Sequence, residues 1–219
     1  MRRTKEEAAE TRSAILDAAE RMFFERGVSQ TSLSQIAAEA SVTRGAIYWH
    51  FSGKSALFRA MQDRAYRPQE EFINSQNILS EADPLAALHR VTLESIRRFV
   101  ADERACKVYT ILTLRCEYVG EMEEAMLCHR EAEDHMHKTI VDVFERAASL
   151  GQLRAGWTPQ MASNACICVF SGLFTEWLRT RDSFDIIAAA TLTFDALFAG
   201  FGRAVERLSS QPALVARAG

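Results

Sequence analysis

The stretch Thr43 to Phe58, TRGAIYWHFSGKSALF, gathers side chains suited to reading a nucleic-acid groove. Arg44 has a planar fork that can donate two hydrogen bonds to one guanine edge, and Gly45 allows a backbone to come close to the bases. Thr43, Tyr48 and His50 offer hydrogen bonds to phosphates or a surface for a thymine methyl. Lys54, at the start of the next helix, brings a cation to a place where free backbone N–H groups also attract phosphate. Tyr48, Trp49, His50 and Phe51 are consecutive, so on a helix they point all the way round, whereas a helix in a globular protein buries roughly one stripe. Ile47 and Phe51, one turn apart, suit the buried stripe. The remainder makes a poor solvated face and a good groove-reading one. The competing reading, in which Tyr48 and Trp49 cap a small core and His50 bonds locally, accounts for each residue singly but not for the set. Thr31 and Ser32, at the start of the preceding helix, are counted with the DNA-facing group.

These residues need a scaffold, and the sequence predicts an all-α one. Gly and Pro are scarce, helix start and stop signals recur, and β-branched alternation is absent. A first helix is expected from about Lys5 to Arg26, burying Ile15, Ala19, Met22 and Phe23, with Gly27 after its end. A second begins near Thr31 or Ser32, where Ser32 and Gln35 have capping-box spacing, and buries Leu33, Ile36 and Ala37. It ends by Ala40, and a third begins about Thr43. Two short helices so tightly joined form a helix-turn-helix. A fourth runs from Lys54 to about Tyr66, where Pro68 ends or kinks it. Asp83-Pro84 opens a fifth, Arg104 to Tyr118 is a sixth, and Glu121 to Leu150 is a long amphipathic seventh closed by Gly151. The expected organisation is a DNA-binding domain over 1–53, a connecting helix over 54–67, and a ligand-binding and dimerisation domain over 68–219.

Two apolar helices finish the chain. One starts at Thr158-Pro159 and contains Cys166, Phe170, Leu173, Phe174 and Trp177. The other starts at Ser183, with Ile187, Ala190, Phe194, Leu197, Phe201, Val205 and Leu208 at helical spacing among small residues. A helix apolar on more than one side must be covered on more than one side. A second copy of the chain supplies that cover in the expected C2 homodimer, with Ile187, Phe194, Leu197, Phe201 and Val205 at the seam.

The composition fits this division. Of 219 residues, 48% are hydrophobic and 25% charged, enough for a sizeable core. The net charge of −3 is uneven: residues 1–67 hold 11 Lys and Arg against 8 Asp and Glu, and residues 68–219 hold 15 against 21. Only the first part need approach phosphates. No apolar run approaches the length of a membrane span, and the charged start lacks a secretory h-region, so the expected location is the cytoplasm. The cysteines Cys106, Cys116, Cys128, Cys166 and Cys168 include no C-x-x-C pair and read as reduced packing thiols. No glycine-rich phosphate loop, nucleophile elbow or embedded carboxylate pair is present, and the chain is not read as an enzyme. His129, Glu133 and His137 share a helix face. A metal site there, or a redox-sensing Cys, is the alternative reading; a solvated charged stripe is preferred.

The segment Thr31 to Phe58, TSLSQIAAEASVTRGAIYWHFSGKSALF, resembles the DNA-binding segment of TetR-type transcriptional repressors. RRTKEEAAETRSAILDAAERMFFERGV, RCEYVGEM, LGQL, SGLFTEWL and DSFD are similar to the AcrR/TtgR-like branch, repressors of multidrug efflux pumps. The resemblance implies a dimer on a pseudo-palindromic double-stranded operator, one dimer or two per site. It also implies release by a lipophilic or aromatic effector bound in the C-terminal domain, and it implies no cofactor. Positions matching the branch's pocket lining are Tyr109, Leu112, Thr113 and Cys116 on one helix, with Leu88, Thr92, Met136, Ile140, Phe170 and Phe174 on its neighbours. One departure is Ser41, in a turn where the family usually carries Gly; a positive φ there costs Ser up to about 1 kcal/mol.

Overall fold

The computed structural model describes residues 4–180 and 183–202. Among them the chain forms nine α-helices and no strand, with one isolated antiparallel bridge between Leu153 and Gly202. Helix α1 (Lys5–Arg26) opens on a Thr4–Glu7 capping box and ends at Gly27, whose φ of 84° is one that side-chain-bearing residues rarely adopt. Helix α2 (Leu33–Glu39) carries the Ser32–Gln35 capping box, and Thr43 caps α3 (Arg44–His50) by accepting from the Ala46 N–H. The turn between them passes through Ser41 at φ 55°, so this non-glycine residue does sit in the left-handed region.

Helix α4 (Lys54–Ser75) does not stop near Tyr66. It continues through Pro68, because Phe72 and Ile73 in its last turns pack against the C-terminal core and offset the missing backbone hydrogen bond. Helix α5 (Pro84–Ala101) starts under the Asp83 cap, whose Oδ1 accepts from the Ala86 N–H at 2.9 Å. Helix α6 (Glu103–Leu114) ends earlier than expected; the Arg115 carbonyl instead accepts from the Val28 N–H at 2.9 Å, joining the end of α6 to the α1–α2 turn. Then come α7 (Glu123–Ser149), α8 (Pro159–Thr180) and α9 (Ile186–Phe201). Val205 and Leu208, expected on the last helix, lie outside the described residues.

Two cores hold these helices. The first gathers Ile15, Leu16, Met22 and Phe23 of α1 with Ile36, Ile47, Phe51, Leu57 and Phe58, and is completed from outside by Val108, Ile111 and Leu112 of α6 and by Met122. Three short helices cannot bury enough apolar surface alone, and α6 supplies the missing wall. The second core joins α5, α7, α8 and α9 through Val91, Ile96, Phe99, Phe144, Phe174, Phe194, Phe198 and Phe201. Phe194 and Phe201, expected at a dimer seam, are 1% and 0% exposed within this protomer, and Phe201 meets Phe144 and Trp157 edge-on at 5.0 and 4.9 Å. Their assignment is corrected: the strongest apolar stripe of α9 is internal, and Leu192, 73% exposed, lies on the opposite side. By length and composition α8 is apolar enough to cross a membrane. In this fold it packs against α6, α7 and α9.

Candidate nucleic-acid interface and effector chamber

Helix α3 is anchored by Ile47 alone among its own residues, with Phe51 buried just beyond its end, and this turns the rest outward. Tyr48 is 48% and Trp49 73% exposed, and Arg44 and Gly45 are exposed with them. Arg44 Nη2 donates to Tyr48 Oη at 3.1 Å and its guanidinium stands 5.5 Å from the ring centroid, so the fork is laid along the outer face rather than left to wander. Trp49 meets the His50 ring edge-on at 4.5 Å. A Cβ at Gly45 would meet only Thr43 Oγ1, at 3.7 Å, and its φ is not positive. Nothing inside the protein therefore demands glycine at that point. Thr43 and Ser32 are exposed, though both hydroxyls are engaged as helix caps.

Two expected DNA contacts are placed differently. Thr31 is 1% exposed, and its Oγ1 donates to the Gly27 carbonyl at 2.8 Å, so it pins the α1–α2 turn instead of facing outward. Lys54 is 7% exposed, and its Nζ meets Glu121 Oε1 at 3.0 Å. The turn Gly120–Met122 covers the first turn of α4 because Met122 fills the first core, and this brings Glu121 over the ammonium. Sequence reading had no signal for a partner so distant in the chain.

In the C-terminal part, faces of α5, α6, α7 and α8 converge on an aromatic cluster. Phe174 lies 4.5 Å from Phe170, 4.9 Å from Phe99 and 6.0 Å from Tyr109, ring centroid to centroid. Burial raises the Tyr109 phenol above its ordinary pKa, opposed by hydrogen bonds with Thr175 and Ser171. Leu88 is buried, and Thr92, Met136, Ile140 and Phe170 are half-buried around this region. Three of the expected lining residues lie elsewhere. Leu112 is buried in the first core, Cys116 packs against that same core, and Thr113 is exposed with its hydroxyl donating to the Tyr109 carbonyl. They share a helical face with Tyr109, but α6 passes from one core to the other, so successive turns meet different neighbours. Burial pushes the thiols of Cys116 and Cys166 up to about 11 and about 12, which keeps both protonated and poorly nucleophilic at neutral pH.

The His129 face divides between two neighbours. His129 Nδ1 lies 3.0 Å from Gln62 Nε2 of α4 and its Nε2 3.3 Å from Glu133, whereas His137 Nε2 lies 3.0 Å from Gln160 Nε2 of α8. Among the described residues no three His, Cys, Asp or Glu side chains converge as metal ligands do.

The junction of the two parts carries a charge network that sequence reading missed. Glu20 of α1, nearly buried, binds Arg64 of α4 and Arg104 of α6, while Asp17 binds Arg64 at 2.9 Å and Arg104 at 3.3 Å. The network borders an open cleft of about 840 Å³ walled by α1, α4 and the α5–α6 corner. Its charged walls suit a domain junction better than a lipophile site.

A paired α2–α3 unit with an exposed cationic and aromatic face, borne on a larger helical body with an aromatic interior, defines a helix-turn-helix regulator with a sensing domain. Residues 15–61 match the model of bacterial regulatory proteins of the tetR family, and residues 83–202 match the C-terminal region of MAATS-type transcriptional repressors. The chain belongs to the TetR family, and it is a transcriptional repressor of that class. It is 40% identical over 187 residues, 85% of this chain and 90% of the relative, to the HTH-type transcriptional repressor BepR of Brucella suis biovar 1 (strain 1330). The crystal structure of NalD, the secondary repressor of the MexAB-OprM multidrug efflux pump in Pseudomonas aeruginosa, superposes with a TM-score of 0.83 at 36% identity, covering 90% of this chain and 99% of that one. A SmeT–triclosan complex superposes at 0.78 with 28% identity, covering 90% and 93%.

Proposed function

We propose that this protein is a cytoplasmic homodimer that represses a multidrug efflux operon and leaves its operator when a lipophilic or aromatic effector enters the C-terminal part. The carrying observation is the outer face of α3, where Arg44, Gly45, Tyr48, Trp49 and His50 stand together around a single buried Ile47. Arg44 reads a base edge, Thr43 and Ser32 approach phosphates, and the uncapped first turn of α4 presents backbone N–H groups to another. Lys54 adds its charge from beneath, shared with Glu121.

The effector chamber is the space bordered by Leu88, Thr92, Tyr109, Met136, Ile140, Phe170 and Phe174; half-buried Met and aromatic side chains suit ligands of differing shape. The dimer seam uses the outward side of α8 and α9. Met161 and Leu192 are exposed there, Ala196 and Ala199 permit close approach, and the half-buried Ile187 and Leu197 border it. Efflux control is supported by the likeness to NalD, and a small aromatic effector by the likeness to the SmeT–triclosan complex.

The test is selection of bound fragments from a random DNA pool, followed by titration of the resulting complex with triclosan. Selection of a two-fold symmetric sequence and its release by triclosan support the reading. A protein that selects no sequence refutes it.

A further inference from the structure

Tyr66 is the residue of α4 that touches both cores. Its hydroxyl is shielded from solvent and has no hydrogen-bond partner among the described residues. The same holds for Gln69 Oε1, one turn further along α4, and for Ser95 Oγ on α5. A buried polar atom left unmatched costs about 1–3 kcal/mol, and folded proteins keep few of them. Three on two adjoining helices call for a partner that the chain does not supply. The two helices do adjoin: Arg98 of α5 lies 4.0 Å from the centre of the Phe72 ring of α4.

The direction these groups face follows from helical register. Tyr66, Gln69 and Ile73 recur at threes and fours on α4, and Ile73 packs in the C-terminal core. Ser95 lies on the α5 stripe that includes Leu88, Thr92 and Phe99. Tyr109 and Cys106 of α6 and Glu133 of α7 stand close enough to Tyr66 to bear on it electrostatically. This places the phenol at the α4 end of the region walled by Tyr109 and Phe99.

We propose that Tyr66 and Gln69 form a polar end of the effector chamber and select effectors that carry a hydroxyl group on an apolar or aromatic body. The proposal rests on the chamber reading given above. A hydroxyl is the smallest group that accepts from the Tyr66 O–H while donating to Gln69 Oε1, with Ser95 able to serve either need. A carboxylate cannot donate to Gln69 and is repelled by Glu133; a plain hydrocarbon leaves all three groups unmatched. Burial pushes the Tyr66 phenol well above its ordinary range, so it remains a donor at neutral pH. The contact also falls on the helix that begins at Lys54, so what the chamber recognises bears directly on the element carrying the DNA-binding unit.

The test is calorimetric titration of the full chain, wild type and Tyr66→Phe, with 2-naphthol and with naphthalene, which differ by one hydroxyl. Wild type should bind 2-naphthol at least tenfold more tightly. Tyr66→Phe should bring the two within about twofold, with naphthalene affinity unchanged and thermal stability equal to or above wild type, because a buried unmatched group has gone. Equal binding of both compounds by wild type, or an undiminished preference in Tyr66→Phe, overturns the selectivity while leaving the chamber. Binding of neither compound overturns the chamber reading and this proposal with it.

Discussion

Replacing Gly45 with Ala should strengthen the fold and weaken DNA binding, and the opposition of signs is what makes it informative. Inside a helix, Ala is favoured over Gly by about 0.5–1 kcal/mol because it loses less backbone freedom on folding. Gly45 lies in the first turn of α3, so the lower end applies, about 0.5 kcal/mol. The added methyl has room, since its nearest neighbour is Thr43 Oγ1 at 3.7 Å and the φ is not a positive one. For a chain of this size that corresponds to a rise in Tm of about 1–2 °C. Toward DNA the same methyl occupies the place where the backbone must meet the base edges. A tenfold loss there equals about 1.4 kcal/mol, and at least that loss is expected. Scanning calorimetry gives the first quantity, and fluorescence anisotropy on a selected DNA fragment over a range of salt gives the second. No charge is altered, so the slope of log affinity against log salt should match wild type. A variant more stable than wild type that binds DNA equally well would place Gly45 away from the groove and refute this docking of α3. A variant that loses stability as well would show that the fold itself needs glycine there.

Other substitutions test separate parts of the reading. Arg44→Ala should cost about 1–3 kcal/mol of specific binding and relax base preference at one position per half-site, read by repeating the DNA selection. Ser41→Gly should stabilise the protein by up to about 1 kcal/mol in urea titrations, because Ser41 already holds the left-handed conformation that glycine adopts freely. Glu20→Ala should cost about 2 kcal/mol, less than a fully buried pair because Arg104 is half-exposed, by leaving Arg64 with Asp17 alone; a change below about 0.5 kcal/mol would show the network to be idle. Leu192→Glu should yield monomers in sedimentation while Tm changes little, since that side chain is outward in the protomer; an intact dimer moves the seam off this face of α9.

The DNA-binding unit was legible because its signals are local. Ser32 and Gln35 cap α2, Gly27 ends α1, and Ile47 with Phe51 marks the inner stripe, each within a turn or two of what it explains. Reading failed where the deciding contact was remote or where a face could be covered in two ways. The charge on Lys54 invites a phosphate until Glu121 is seen against it. Pro68 should have interrupted α4, but tertiary packing of Phe72 and Ile73 outweighs one lost hydrogen bond. On α9 the periodic stripe of Phe194 and Phe201 marked a buried side correctly without saying whether it is covered from within or by a second copy. Leu112 and Cys116 show the same limit on α6: periodicity gives a face, and only the fold says what each turn of that face meets.

The placement of α6 bears on how an effector can act at a distance. Its first turns share the aromatic cluster through Tyr109, and its last turn is built into the DNA-binding core through Ile111 and Leu112. Beyond it, the Arg115 carbonyl holds the α1–α2 turn, Tyr118 packs edge-on against Phe58, and Glu121 holds Lys54. The DNA-binding unit therefore does not hang on a flexible linker; it shares packed side chains with the element that lines the chamber. A hundredfold loss of operator affinity needs about 2.7 kcal/mol of differential effector binding between the two arrangements, within the usual range for coupled sites. An effector that displaces Tyr109 must move α6 against the first core as well, so a small shift in the chamber reorients α3 as part of a packed unit. A ligand bound equally well by both arrangements, however tightly, would leave the operator complex intact.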